Sequence, residues 1–298
     1  MAAATTAKVK LPADVVTTLL PKIQGNSTIA TLSPRKPQTF SEHENIIFTP
    51  TAEAEVVEEG ATKSSYDVGT SFVQGVRVKL QTTTRVTEEL QWADEDDQLE
   101  IIDNIQKDQA GAIGRALDYV VYHGINPAKK TALASSYPKL VGATGVHTIT
   151  SVEDELANLN AMKRALVDYE FNGIALSRLY ACDLSELRVP ATGAPLFPSI
   201  PMNLKATTFE GLDAATSNTV NGSILTGSVA TKVRAIMGNF SMIGWGMIRD
   251  MTAEIIPYGD PDNTGVDLKS AGQIAYRTQA FLCYGILDPG AFAVLKEA

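Results

Sequence analysis

The chain has 298 residues, of which 44% are hydrophobic and 20% charged. That is enough apolar material for one large or two modest folded units, and it excludes a disordered or fibrous chain. With 25 Lys+Arg against 34 Asp+Glu the net charge is −9, and no basic stripe marks a protein whose work is to grip nucleic acid.

Residues 1–40 are rich in Ala, Thr and Lys and then in Pro. Leu11 to Ile23 has the pattern of a short amphipathic helix, and the rest reads as an extended arm. Its apolar residues (Leu19, Leu20, Ile23, Ile29) have to lie on something else. Residues 46–85 read as a long β-hairpin. Ile46-Ile47-Phe48 and Ala52 to Val57 run out, and Val76-Arg77-Val78-Lys79-Leu80 returns with strict alternation. The polar tip spans Glu58 to Ser65, and a ribbon this long needs another subunit to rest on.

Residues 98–123 hold the clearest helix. Ile102, Ile105, Ile113, Ala116, Leu117, Val120 and Val121 fall at helical spacing, with Asp103, Lys107, Asp108, Arg115 and Asp118 assigned to the other faces. Asp94 to Asp97 caps its start, Gly124 stops it, and His123 reads as a cation suited to the end of the helix dipole. A second helix covers Val152 to Val167, opened by Ser151-Val-Glu-Asp154, with the stripe Leu156, Leu159, Met162 and Leu166. A strand follows at Ile174 to Tyr180, then a short helix at Asp183 to Leu187, and further strands at Ser223–Leu225, Arg234–Ile236 and Ser241–Trp245. Met247 to Ile256 and Ile274 to Ile286 form long strands around an Asp/Gly turn.

Chemistry is sparse along this order. His43, His123 and His147 lie in no metal-ligand spacing, and no nucleophile elbow or phosphate loop is present. Asp260, Asp262, Thr264 and Gly265 match the start of a calcium loop, but Ala271 stands where a bidentate Glu is required. That stretch therefore reads as a solvated turn. Cys182 and Cys283 are too few for a disulfide framework and read as reduced thiols. No apolar run reaches the roughly 18 residues of a membrane helix, and no signal-peptide pattern opens the chain. The expectation is a protein that is neither exported by the common route nor embedded in a membrane. No residue set points to catalysis, a cofactor or a metal.

Five short motifs carry a family likeness in the right order. They are Val57-Glu58-Glu59-Gly60, Val86-Thr87-Glu88-Glu89-Leu90, Asp118 to Gly124, Gly238-Asn239-Phe240-Ser241 and Asp288-Pro289-Gly290-Ala291-Phe292. Together they make about residues 46–298 resemble the major capsid proteins of tailed bacteriophages with the HK97 fold. The resemblance implies an α+β fold with an N-arm at 1–45 and an extended hairpin, the E-loop, at 46–85. It implies a P-domain from 86–139 and 246–298, with a long spine helix, and a compact A-domain at 140–245. Asn239 stands where the family usually has Asp.

The implied function is a shell that self-assembles from hexamers and pentamers around double-stranded DNA, without sequence-specific binding, membrane, cofactor or catalysis. Implied partners are other copies of the chain, a separate scaffolding protein, a portal and decoration proteins. The implied location is the virion, assembled in the host bacterial cytoplasm. Contacts between copies are expected from Glu58, Glu59, Lys63, Arg77, Lys79, Asp260, Asp262 and Asp267. Lys63 is the one Lys near the tip, and Asn263 does not match a cross-linking partner, so no cross-link is expected. The alternatives are an encapsulin-like compartment of the same fold and an ordinary α/β enzyme.

Overall fold

The computed structural model describes residues 27–35, 44–49, 56–59, 62, 65, 69–90, 92, 101–222 and 231–297. The expected helix at Leu11 to Ile23, the cap at Asp94 to Asp97 and the strand at Ser223–Leu225 lie outside them. The fold is mixed α+β. Its centre is a six-stranded sheet in the order β6 (His147–Thr150), β13 (Phe292–Lys296), β10 (Val233–Gly238), β7 (Gly173–Leu176), β9 (Leu212–Thr216) and β8 (Thr208–Phe209).

Period-2 alternation divides the side chains of this sheet between two cores. Ile174, Leu176, Ala235, Met237, Ala293 and Leu295 join Met162, Leu166, Tyr180 and Leu184 in one cluster. Ala175, Ile236, Phe292 and Val294 point the other way, toward Ile113, Leu117, Val120, Trp245 and Leu282. The first face is covered by α3 (Glu155–Ala165) and α4 (Arg178–Glu186), and on the second α1 (Thr28–Leu32) packs against β7 and β9, while α2 (Ile101–Asp118) lies against β3 (Val76–Thr87) and β12 (Gln273–Ile286). A second, three-stranded sheet places β12 (Gln273–Ile286) between β11 (Ile243–Ile256) and β3 (Val76–Thr87).

Several sequence expectations are corrected by this topology. Val76 to Leu80 does not return along Ile46–Phe48. The ribbon pairs β1 (Glu44–Thr49) with β2 (Gly69–Gln74), whereas β3 pairs with β12 from Tyr284 to Gln273. The alternation of Val78 and Leu80 is real, but its apolar face packs against the main body. The strand β13 hydrogen-bonds β10 and β6 in the central sheet. The strand at Ile174 ends at Leu176, because Ser177 caps α4 through a bond from the Tyr180 N–H. Likewise α3 starts late, capped by Asp154, not Ser151. Leu156 consequently faces solvent, and Asn158 is buried, clasping both the N–H and the carbonyl of Val152 at 2.8 Å.

Two of the short motifs meet in space. Gly238 lies opposite Phe292, and the Asn239 N–H donates to the Ala291 carbonyl at 3.1 Å. Asn239 and Asp288 each cap a short 3-10 turn by accepting a backbone N–H two residues on. An Asn or an Asp performs that task equally, which explains the tolerance at 239. Phe240 and Phe292 pack edge-to-face at 5.6 Å over the cap. The close approach leaves no room at Gly238, where a Cβ would come within 2.4 Å of the Ala291 carbonyl oxygen. Gly238→Ala should therefore lower the unfolding free energy from a urea titration by the upper part of the roughly 1–3 kcal/mol typical of overpacking. Gly244→Ala, also buried but with its nearest atom at 3.9 Å, should stay near wild type in the same titration.

Candidate functional site

Three places in the fold gather polar groups, and each begins from a local rule of chain geometry. The first is the end of the long helix. After Asp118 the α-helix widens into a π-turn, Tyr119–His123, which Gly124 ends in the left-handed conformation at φ 62. All five residues of the turn are buried. A turn that is apolar on every side leaves Asp118 no exposed face, and it is buried too. This corrects its assignment to a solvated side of the helix.

Asp118 instead holds the base of the arm. Its carboxylate accepts from Ser27 Oγ at 2.5 Å, the Thr28 N–H at 2.9 Å, Thr28 Oγ1 at 3.0 Å, the Ile29 N–H at 3.2 Å and Thr219 Oγ1 at 2.5 Å. These donors sit at the first turn of α1 (Thr28–Leu32), where backbone N–H groups have no partner within the helix. Ser27 caps the same turn by accepting the Ala30 N–H. Burial pushes the Asp118 carboxyl up from its ordinary range, and the donors from Ser27, Thr219, Thr28 and Ile29 work against that. Beyond α1, Ser33 Oγ donates to the Ile243 carbonyl at 2.7 Å, and Trp245 Nε1 donates to the Ser33 carbonyl at 3.2 Å. Ile29, expected to lie on something beyond the arm, is wholly buried in the body of its own chain.

His123 lies one turn further on and is also buried. Its Nε2 is 2.9 Å from the Thr219 carbonyl, which only accepts, so Nε2 carries the proton and Nδ1 accepts from Thr231 Oγ1 at 2.8 Å. Burial pulls its pKa down to about 4. The expected helix-end cation is a neutral imidazole, because desolvation outweighs the dipole.

The second place is the turn between β11 and β12, where Asp260, Asp262 and Asp267 stand. Asp260 accepts the N–H groups of Thr264 and Gly265, and Asp267 those of Gly259 and Ser270. The cation facing this turn is Arg85 of β3. Its Nε donates to Asp262 at 2.9 Å, its Nη2 to Asp260 at 2.7 Å and Thr264 at 2.6 Å, and its Nη1 to the Val266 carbonyl at 3.1 Å. The guanidinium holds the Asp262 carboxyl down at about 2. The turn is thus clasped within one chain. Arg277 donates instead to the Pro261 carbonyl at 2.5 Å.

The third place is the ribbon. Val56, Val57, Glu58 and Glu59 are exposed, Val56 almost completely at 97%. Lys63 lies outside the described residues. Arg77 and Lys79 are exposed on β3, and Lys79 Nζ sits 5.4 Å above the Phe281 ring. The predicted contact residues therefore lie in different places, and only the three Asp residues share one cluster. Sequence reasoning missed Asp118 and Arg85. An Asp inside Ala-Leu-Asp-Tyr-Val-Val-Tyr was the available signal for the first, since no solvated face fits there. Among the described residues, no group of three or more His, Cys, Asp or Glu could hold a metal ion, and no helix is long and apolar enough to cross a membrane.

Comparison with known proteins places the chain. No family model and no curated protein matches it. A solved structure from Mycobacterium phage Ogopogo superposes with a TM-score of 0.80 at 34% identity, over 92% of each chain. The chain belongs to the phage major capsid proteins. A structure from Gordonia phage Cozz shares the fold at TM-score 0.75 and 24% identity, over 92% of this chain and 87% of that one. The capsid of an empty GTA particle does so at 0.63 and 11%, over 92% and 90%.

A capsid protein is a structural protein and not an enzyme, so the buried polar groups of this one are read as fastenings. Asp118→Ala should take the shared acceptor away from four donor groups of the arm base and from Thr219 Oγ1, costing on the order of 3 kcal/mol by urea unfolding. It should also open the chain near residue 33 to limited proteolysis. His123 has a folded-state pKa below its unfolded 6.5. Its contribution is therefore complete above pH 6.5 and falls as pH drops toward 4, by about 3 kcal/mol in all. The difference in stability between wild type and His123→Gln should shrink across that window. A pH-independent difference would contradict the assignment.

Proposed function

We propose that this capsid protein builds an icosahedral shell of the HK97 type around double-stranded DNA, with the ribbon as a contact between copies. Support comes first from the 34% identity over 92% of both chains. Capsid neighbours favour a phage shell over an encapsulin-like compartment. The observation that carries the ribbon's role is the exposure of Val56 and Val57 beside Glu58 and Glu59. A two-stranded ribbon with bare apolar residues is marginal alone and gains stability from a partner surface.

In this reading residues 1–45 form the N-arm and 46–75 the E-loop. The P-domain comprises 76–139 and 246–288, and 140–245 with 289–298 form the A-domain. The pairing of β1 with β2 and of β3 with β12 supports reading β3 outside the E-loop. Glu58, Glu59, Lys63, Arg77 and Lys79 act between copies. The turn of Asp260, Asp262 and Asp267 meets its neighbours with part of its charge already opposed by Arg85. A net charge of −9 suits a shell wall that lets packaged DNA slide. A scaffolding protein and a portal act during assembly in the host bacterial cytoplasm.

Deleting Glu58 to Ser65 should leave a folded subunit with near-native melting and abolish or weaken shell formation, read by sedimentation and electron microscopy. Shells in wild-type yield from the deletion protein would overturn the ribbon's role.

A further inference from the structure

An Asn followed directly by Gly is prone to close on itself, because the next backbone nitrogen reaches the side-chain amide carbon with no Cβ in the way. The chain holds two such pairs, Asn172-Gly173 and Asn221-Gly222, and the fold treats them differently. Asn172 is pinned. Its side-chain oxygen accepts the Phe240 N–H at 2.9 Å, its own N–H donates to the Gly238 carbonyl at 3.2 Å, and its carbonyl accepts the Asp213 N–H at 3.2 Å. Gly173 opens β7 so close to the Phe240 ring that a Cβ there would come within 2.9 Å of it. Neither group can turn toward the other without breaking the central sheet.

Asn221 stands in a turn, residues 218–222, outside every strand and helix. It is half-buried and lines both a groove of about 1670 Å³ and a cavity of about 150 Å³, so water has room to reach it from two sides. The Gly222 N–H donates to the Thr219 carbonyl at 3.2 Å, while His123 Nε2 takes the same oxygen at 2.9 Å. The amide is thus held by the longer of two bonds to a shared acceptor. Gly222 itself is required, since it has φ 69 and a Cβ would come within 2.6 Å of Thr231 Oγ1. The fold demands the glycine that makes the pair reactive.

We propose that Asn221-Gly222 is a site of spontaneous deamidation and isomerisation. The Gly222 nitrogen gives its proton to water and bonds to Asn221 Cγ. The Cγ–Nδ2 bond then breaks, and ammonia leaves with a proton returned by water. A second water opens the cyclic imide at either carbonyl, leaving an aspartate or an isoaspartate whose backbone is one methylene longer. Nothing is oxidised or reduced. The lengthened link lies two residues from Thr219, whose hydroxyl donates to Asp118 and whose carbonyl accepts from His123. Isoaspartate at 221 therefore loosens the fastening of the arm base, and it accumulates with the age of the protein.

Peptide mapping after incubation of the native protein in mildly alkaline, heavy-oxygen water tests the site. The Asn221 peptide should take up solvent oxygen and become an isoaspartate–aspartate mixture about ten times as fast as the Asn172 peptide reacts, or faster, a ratio that a barrier difference of about 1.4 kcal/mol supplies. In urea the two pairs should react at similar rates. Asn172 converting as fast as Asn221 in the native protein, or Asn221 converting only in urea, would overturn the proposal. Asn221→Gln keeps the amide but needs a larger ring, so it should show no uptake at 221, and uptake there would refute closure by Gly222. The isoaspartyl form, separated by chromatography, should exchange the Thr28 and Ile29 amides faster than Asn221→Asp, which carries the charge without the methylene. Equal rates would sink the link from this site to Asp118.

Discussion

The Asp118 carboxylate is buried, and what meets its charge is a set of five hydrogen bonds from two separate segments of chain. A buried carboxylate without partners is too costly to keep, so the arm base and the 217–222 loop have to be in place for the long helix to end as it does. Ser27 passes the constraint on to α1 by capping it. Ser33 and Trp245 pass it to β11, the first strand of the long sheet. Helix, arm base and both sheets are therefore fastened to one another before any second copy is met.

What remains outside that fastened body is suited to association. The ribbon presents bare valines beside glutamates, and the β11–β12 turn is held rigid by Arg85. A loop ordered in advance loses less entropy when a neighbour arrives, which favours contacts repeated many times over a shell. The meeting of Gly238 to Ser241 with Asp288 to Phe292 serves a different purpose. It ties the two long strands to the central sheet at a point where only glycine fits.

Much of this was legible in the residue pattern. The alternation of β12, the spacing of Ile113, Leu117 and Val120 and the stop at Gly124 follow from periods that a single chain displays. The five motifs together pointed to the capsid family. Pairing was harder, because Val76 to Leu80 alternates in the same way whether its partner is Ile46–Phe48 or Ala280–Tyr284. Long-range polar contacts were invisible for the same reason. Arg85 and Asp262 are 177 residues apart, and no local rule links them. Asp118 was misread because its helical angle was weighed without the apolar ring of residues after it, and His123 because the dipole was considered without the burial.

Hydrogen exchange, compared between the free subunit and assembled shells, tests the account most directly. The Thr28 and Ile29 amides, which donate to Asp118, should be protected in the free subunit as fully as those of the β10 core. The amides of Val56 to Glu59 should exchange freely there and become protected on assembly. Fast exchange at Thr28 and Ile29 before assembly, or an unchanged rate at Val56 to Glu59 after it, would contradict a body fastened from within and joined to its neighbours through the ribbon.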